Sequence, residues 1–499
     1  MTVIAHSTTA RTRPLHGTSS RIEEIIPLGT TQSRGRFGRM FGFLRPLVVS
    51  DDALDALGAA MIEPPDAQVE LDNAEIPAGF TYFGQFIDHD MTFDPTPMPE
   101  KRIDPLAIYN YRTPRLDLDS LYGLGPAGQP YLYERVSRAK FLIGTNPESL
   151  GHGQAKIRSL RNDLPRNSEG YALIGDPRND ENLIVAQLHL AFMKFHNAVV
   201  QMLEPNATKQ RGCFDEARRL VTWHYQWLLL NEYLPLILDP GALETTQKAP
   251  RFMHCRESAY MPVEFSVAAY RFGHSMVRSK YSFNHVFNLD RGAVAPATLG
   301  LLFHFTGPQK SGSVPLPSNW AIDWNRFFDL GSTTPRNHSR RLDPWLVSEL
   351  HQLQAQLKVD DAPTSLAVRN LRRGQRVGLP SGQALASVVG VPALSKDQLE
   401  AGSDGQIARR HGLIDQTPAW YYILKEALVL GAGKRLGPLG STIVAETILG
   451  LLRSDPTSFV MQDPGWRPEL SDDGSFKMAD LMRIADADSP TINATEDSR

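Results

Sequence analysis

Only two cysteines, Cys213 and Cys255, occur in 499 residues, so a disulfide framework is excluded and at most one bridge can form. Such sparing use of cysteine suits a reducing compartment. Neither sign of charge is in excess, with 52 Lys and Arg against 55 Asp and Glu. No basic stripe marks a nucleic-acid-binding face, so nucleic acid is not an expected partner. An uninterrupted apolar run of membrane length is also missing. The most apolar long stretch, Leu220 to Leu238, contains His224, Gln226, Asn231 and Glu232 and reads as a buried helix. The N-terminal MTVIAHSTTARTRPLHGTSS has no apolar core of the Sec type, which predicts a cytoplasmic location or export by a route without a classical signal. No repeat period and no interior linker are visible.

What is present is ample apolar material, 41% of residues, mostly at helical spacing. Helices are predicted over 51–63, 76–93, 177–204, 214–238, 262–280, 344–357, 418–431 and 441–453. Strand signals are short and scattered. These features predict a mainly α protein with one large domain over 36–465, a polar tail at 1–35 and a C-terminal extension at 466–499 with a mobile end.

Several polar groups sit where an apolar core would be expected. FTYFGQFIDHDMTFD, Phe80 to Asp94, places Gln85, Asp88, His89 and Asp90 among Phe83, Phe86, Ile87, Met91 and Phe93. Buried polar groups cost free energy unless each has a partner. On a helix Gln85, Asp88 and His89 face one way and Asp90 another, so two sites are predicted. Taken alone, the stretch also fits a satisfied core histidine. In GDPRNDEN, Gly175 to Asn182, Asp176 is a good N-cap and Pro177 a good first-turn residue. Arg178 works against the helix dipole there, which stabilising an anion would explain. His189 and His196 share a face but lack a metal-binding pattern, so they are expected as core or hydrogen-bonding histidines.

Three further stretches carry candidates. In SVAAYRFGHSMVRSK, His274 follows Gly273, and a glycine in a helix points to close approach of something flat and bulky. In RNLRRGQRVGLPSGQ, Asn370 is placed to orient a ligating histidine and the arginines to pair with carboxylates; alone it reads as a solvated basic loop. In TPRLDLDSLYG, Thr113, Asp117 and Asp119 offer oxygens at alternating positions and, with Asp90, make a hard-cation site of the calcium type.

These five pieces occur in the same order as in the animal-type haem peroxidases of the peroxidase–cyclooxygenase superfamily. GQFIDHD resembles the distal histidine motif, TPRLDLDSLYG the calcium loop and DPRNDE the catalytic arginine segment. YRFGH resembles the proximal histidine motif and NLRRGQRVGLP the proximal asparagine segment. The resemblance runs from about Arg36 to Phe459, and the chain reads as a bacterial-looking member. It implies haem b and Ca2+ as cofactors, and hydrogen peroxide with a small aromatic donor or halide as partners, oxidised by way of compound I.

Residue by residue, the resemblance implies that His89 is the distal acid/base, that Gln85 helps hold water or halide, and that Arg178 is the distal arginine. It implies that His274 ligates iron, that Asn370 accepts the proton of its other ring nitrogen, and that Arg271 and Arg373 pair with haem propionates. Asp88 and Glu181 match the carboxylates that form esters with haem methyls. Asp90, Thr113, the Arg115 carbonyl, Asp117 and Asp119 match the calcium ligands. Asn182 stands where the myeloperoxidase type has the methionine of its sulfonium link, so that bond is excluded. Arg376-Val377-Gly378 replaces a common Asp-His-Gly, and Asp119 a more usual Ser. Arg271 occupies the place of the radical tyrosine of the dioxygenase branches, with Tyr270 one position off. A fatty-acid dioxygenase, or a non-catalytic interaction protein on this scaffold, are the alternatives.

Overall fold

The computed structural model describes residues 35–485, apart from 65–70, 95–108, 151–155, 158, 254–258, 291–294, 307–315, 353–362 and 472. The expected tails, residues 1–34 and 486–499, lie outside the described residues, as does Cys255; Cys213 is a free thiol. Seven helices reach ten residues or more among the described residues. They are α1 (Asp51–Ala60), α2 (Gly79–Met91), α3 (Leu183–Leu203), α4 (Phe214–Leu228), α5 (Leu366–Arg376), α6 (Ala419–Gly431) and α7 (Pro438–Ser454). Strands are short, two to six residues, so the protein is mainly α, as expected.

α3 is the centre of the packing. It begins where Asn182 caps it by accepting from Val185 N, and fifteen of its residues are buried. Although α3 is long and apolar enough to cross a membrane, most of it lies inside the protein. α2 and α4 pack against it through aromatic rings. Phe86 stacks on Phe192 with centroids 4.7 Å apart, and Tyr225 stands edge-on to Phe83, Phe86 and Phe192. Such pairs add about 0.5–1.5 kcal/mol each beyond area burial. Gly84 lets α2 approach closely, because a Cβ there would collide with the Tyr233 hydroxyl. Met478, Leu481 and Met482, from beyond residue 465, join the same core.

A small three-stranded sheet ties the functional segments together. Gly35–Gly38 pairs antiparallel with Tyr109–Asn110 and parallel with Met261–Pro262. One partner leads into the Thr113–Asp119 loop and the other into the segment bearing His274.

Three predicted helices differ from the observed ones. The segment predicted over 177–204 is a 3-10 turn, Pro177–Asp180, followed by α3, because Asn182 caps a second start. The segment predicted over 262–280 is a wide π turn, Glu264–Ala268, running into a 3-10 stretch, Ala269–Met276. Of 344–357, the described part is an isolated bridge at Leu346 followed by one 3-10 turn at Ser348–His351. There Leu346 bonds to the end of α1 through Leu346 N to Met61 O and Glu63 N to Leu346 O, and His351 Nε2 reaches Met61 O. Long-range pairing overrides the helical spacing.

Candidate active site

Of the thirteen residues of α2, only Gln85 and Asp88 are not buried. They lie three apart, so a single strip of the helix is partly exposed. His89, buried beside them, places its Nδ1 2.8 Å from Asn179 Oδ1. An amide oxygen only accepts, so Nδ1 carries the proton and Nε2 is the basic nitrogen of the neutral ring. Asn179 Nδ2 in turn donates to His189 Nδ1 at 3.0 Å. Burial holds His189 down to about 3, so it stays neutral and accepting. Its Nε2 is buried without a hydrogen-bond partner. The amide is thereby oriented from behind and the tautomer of His89 set from in front. Sequence reasoning placed His189 as a hydrogen-bonding histidine but gave Asn179 no part. Its one available signal was a polar residue flanking the aberrant Arg178.

Arg178 is gripped by backbone and carboxylate. Nη2 donates to His89 O (2.8 Å) and to Asp176 Oδ2 (2.7 Å), while Nε shares both Asp176 oxygens. Nη1 keeps its donors free among the described residues. Asp176 is the expected N-cap, accepting from Arg178 N at 2.9 Å. Burial alone would raise its pKa, but Arg112 and Arg178 on either side hold it well below the usual carboxylate range. The Phe93 ring lies 4.4 Å from the Arg178 guanidinium, packing it from the apolar side.

Glu181 accepts from Gln85 Nε2 and lies 3.7 Å from His89 Nε2. Gln85 Oε1 accepts from Asn182 Nδ2 at 3.0 Å, so the glutamine is held at both ends. Asp88 Oδ1 accepts from Thr92 Oγ1 at 3.0 Å, at the end of the helix. Each of these two carboxylates keeps an oxygen without a protein partner among the described residues.

His274 sits on the 3-10 stretch, where residues three apart eclipse, so Arg271 stands on its face. Burial, then Arg271, pushes His274 down to about 3, with Asp88 opposing. Burial also depresses Arg271, which feels Asp88, Arg373 and Arg178. These groups therefore share one electrostatic environment, linking the α2 face to the His274 segment. Arg373 donates to Asp94 Oδ2 at 3.2 Å, and Arg271 Nε to Ser266 O at 2.9 Å. Asn370 Nδ2 faces His274 Nδ1 at 2.8 Å. The expected contact is present, but with the amide donating, whereas the sequence reading had the asparagine accept. The residue belongs to α5, capped by Ser365, and not to a solvated loop.

Asp90, Asp117 and Asp119 bring carboxylate oxygens within 4.8 Å of one another. Burial, then Asp119 and Asp117, raises Asp90 well above its ordinary value; burial also raises Asp119, to about 7. Crowded, desolvated carboxylates of this kind suit a hard cation. Asp90 accepts from Leu118 N (3.1 Å) and from Ser120 Oγ (3.1 Å), which ties α2 to the loop. Thr113 Oγ1 donates to Asp117 at 3.0 Å. Arg115 lies in the same loop with its guanidinium 3.8 Å from Asp455.

The sequence profile described as "Animal haem peroxidase" matches residues 98–459, which include Arg178, His274 and Asn370 and begin after His89. The chain is 27% identical over 365 residues to a "Peroxidase-like protein" of Margaritifera margaritifera, covering 60% of this chain and 44% of the relative. It is 24% identical over 485 residues to human "Eosinophil peroxidase", covering 83% and 63%. The chain thus spans about half to two-thirds of the length of these relatives. Among solved structures, peroxidase A from Dictyostelium discoideum superposes with a TM-score of 0.61 at 15% identity, covering 91% of this chain and 93% of that one. A fatty acid alpha-dioxygenase from Oryza sativa gives 0.55 at 14% identity, covering 97% and 88%. At such identities the two superpositions bear on the fold alone, whereas the profile match covers most of the chain: this protein belongs to the animal haem peroxidase family.

Proposed function

We propose that the protein is a haem peroxidase that reduces hydrogen peroxide and oxidises a small aromatic donor or a halide. The observation that carries this reading is His89, whose Nδ1 is bonded to Asn179 Oδ1 so that Nε2 is its basic nitrogen, beside Arg178, whose Nη2 donates to the His89 carbonyl and whose Nη1 keeps its donors.

Three features support haem b as the resident group. A Cβ on Gly273, beside His274, would meet nothing within 4 Å, so the backbone there looks onto open space. Arg271, Arg373 and Arg178 crowd three guanidiniums together, a setting that suits propionates. His274 Nε2 has no protein partner among the described residues and would hold the iron. A half-turn of the Asn370 amide exchanges Nδ2 for Oδ1, after which the asparagine accepts the Nδ1 proton and frees Nε2 for ligation. When bound, the haem supplies the redox-active iron on which peroxide is cleaved.

The protein's own part is proton handling and charge stabilisation. His89 Nε2 takes the proton from one peroxide oxygen and returns it to the other. Arg178 Nη1 donates to the oxygen on which negative charge grows. Gln85, fixed by Glu181 and Asn182, lines the same strip and would hold water or halide. Asp88 and Glu181 are proposed as ester points, and Asp90, Thr113, Arg115 O, Asp117 and Asp119 as ligands of calcium, which would anchor His89 through its neighbour Asp90.

The dioxygenase reading is weaker. Arg271, not a tyrosine, shares the face of His274, and the Tyr270 hydroxyl is directed to Tyr233 Oη at 3.4 Å. The test is the absorption spectrum after haem supply. A Soret band that survives in His89→Ala and Arg178→Ala, with peroxide consumption lost, is expected. No band in the unaltered protein, or oxygen uptake with linoleate that Tyr270→Phe abolishes, overturns the peroxidase reading.

A further inference from the structure

Arg112 lies outside every motif singled out from the sequence, yet it stands between two parts of the site. Its Nε and Nη2 both reach Asp176 Oδ2, at 2.8 and 2.5 Å, and Nη2 also donates to Gly175 O at 3.3 Å. Its remaining nitrogen, Nη1, lies 3.4 Å from Asp119 Oδ1. The side chain is 10% exposed and that of Asp176 is fully buried, so these are desolvated charge contacts. Asp176 passes the contact on, because the same Oδ2 accepts from Arg178 Nη2. Both guanidiniums also lie against the Phe93 ring, Arg112 at 5.8 Å and Arg178 at 4.4 Å. The result is an unbroken chain from Asp119 through Arg112 and Asp176 to Arg178 and the His89 carbonyl.

We propose that Arg112 is the positioning residue through which the Asp90–Asp117–Asp119 cluster sets the placement and the anion affinity of Arg178, with Asp176 as the pivot. This rests on the peroxidase reading and adds a regulatory link to it. Two charges of opposite sign flank Arg112. A cation in the cluster engages Asp119 and turns the guanidinium wholly toward Asp176. Arg178 and Arg112 then compete for Oδ2, and Arg178 Nη2 is freer to meet an anionic oxygen in the cleft. The cation also removes the field of three carboxylates that opposes an anion there. Both effects have the same sign, so a filled cluster favours anion binding at Arg178. By linkage the bound anion must tighten the cation by the same factor.

The probes are calcium, followed by titration calorimetry, and fluoride, a small anion that ligates ferric haem, followed by absorbance. In the haem-loaded protein, removing calcium is expected to weaken fluoride about five-fold or more, and saturating fluoride to tighten calcium equally. In Arg112→Gln the factor falls to the smaller part that the field of the carboxylates alone supplies, while calcium still binds. Arg112→Lys, which keeps the charge but not the fork, restores part of it. Calcium that does not bind, or an Arg112→Gln protein that keeps the full factor, overturns the proposal. Absence of a Soret band in the unaltered protein is instead the failure of the peroxidase reading, so the two failures are distinguishable.

Discussion

The His89 ring donates its Nδ1 proton to Asn179 Oδ1 across 2.8 Å, and this contact leaves Nε2 as the basic nitrogen. Asn179→Ala removes the acceptor and leaves a buried N–H unsatisfied, so the ring exchanges tautomers or turns. Loss of one such buried hydrogen bond is worth about 1–3 kcal/mol. Peroxide consumption is therefore expected to slow roughly ten- to a hundred-fold. The Soret band and haem content should stay as they are, because the hydrogen bonds of Asn179 among the described residues go to His89, His189 and Asp176 O, and none to the His274 segment. Stopped-flow rates against peroxide concentration check this, and an unchanged rate removes Asn179 from the mechanism.

Asn370 offers a test on the opposite side. In the orientation observed, its Nδ2 faces His274 Nδ1, and the haem-bound state needs Oδ1 there. Asn370→Asp supplies an acceptor in either orientation and a negative charge besides. His274 then gains imidazolate character and stabilises ferric over ferrous iron. The expected outcome is a midpoint potential more negative than in the unaltered protein, read by spectroelectrochemistry. Asn370→Leu should shift it the other way. A potential indifferent to both changes would show that the amide does not act on His274.

Asp88 and Glu181 each keep one oxygen with no protein partner among the described residues, while the other is anchored by Thr92 or Gln85. Forming an ester from a haem methyl and a carboxylate releases two electrons and one proton. One hydrogen peroxide accepts both electrons, that proton and one more from solvent, and becomes two waters. After peroxide treatment, acid–butanone extraction is expected to leave haem with the unaltered protein. Asp88→Asn and Glu181→Gln should each leave one link, and the double variant should release the haem. Clean extraction from the unaltered protein excludes the links without touching the family assignment.

The candidate site residues were legible because their types are out of place locally: His89 in an apolar helix, Arg178 at a positive helix end. Their neighbours in space were not. Arg112 bonds to Asp176 from 64 residues away, and His89 to Asn179 from 90. Contacts across such separations leave no period in the chain, so only the fold reveals them. Helix α2 was foreseen to within a few residues because thirteen positions repeat one pattern. The π and 3-10 character around His274 was not, since a change of turn width leaves the residue pattern nearly intact.

Acid should weaken the fold through His196. Its Nδ1 accepts from the Tyr122 hydroxyl and its Nε2 donates to Ala139 O, both at 3.0 Å, so the buried ring is neutral. Burial brings it down to about 4, with the Arg218 charge, which lies over the Tyr122 ring, acting in the same direction. In the unfolded chain a histidine titrates near 6.5. Above that pH neither state holds the proton and His196 has no effect on the pH slope. As pH falls from 6.5 to 4 the unfolded chain takes up a proton that the native protein refuses, and stability drops. The loss from this one group is about 3 kcal/mol, complete once pH is below 4. His196→Gln cannot charge, so its stability should fall less over the same range. Urea midpoints at pH 7, 5.5 and 4.5 for both proteins isolate the difference, because carboxylates and His224 contribute equally to each. Parallel pH curves would mean that His196 accepts a proton in the native core.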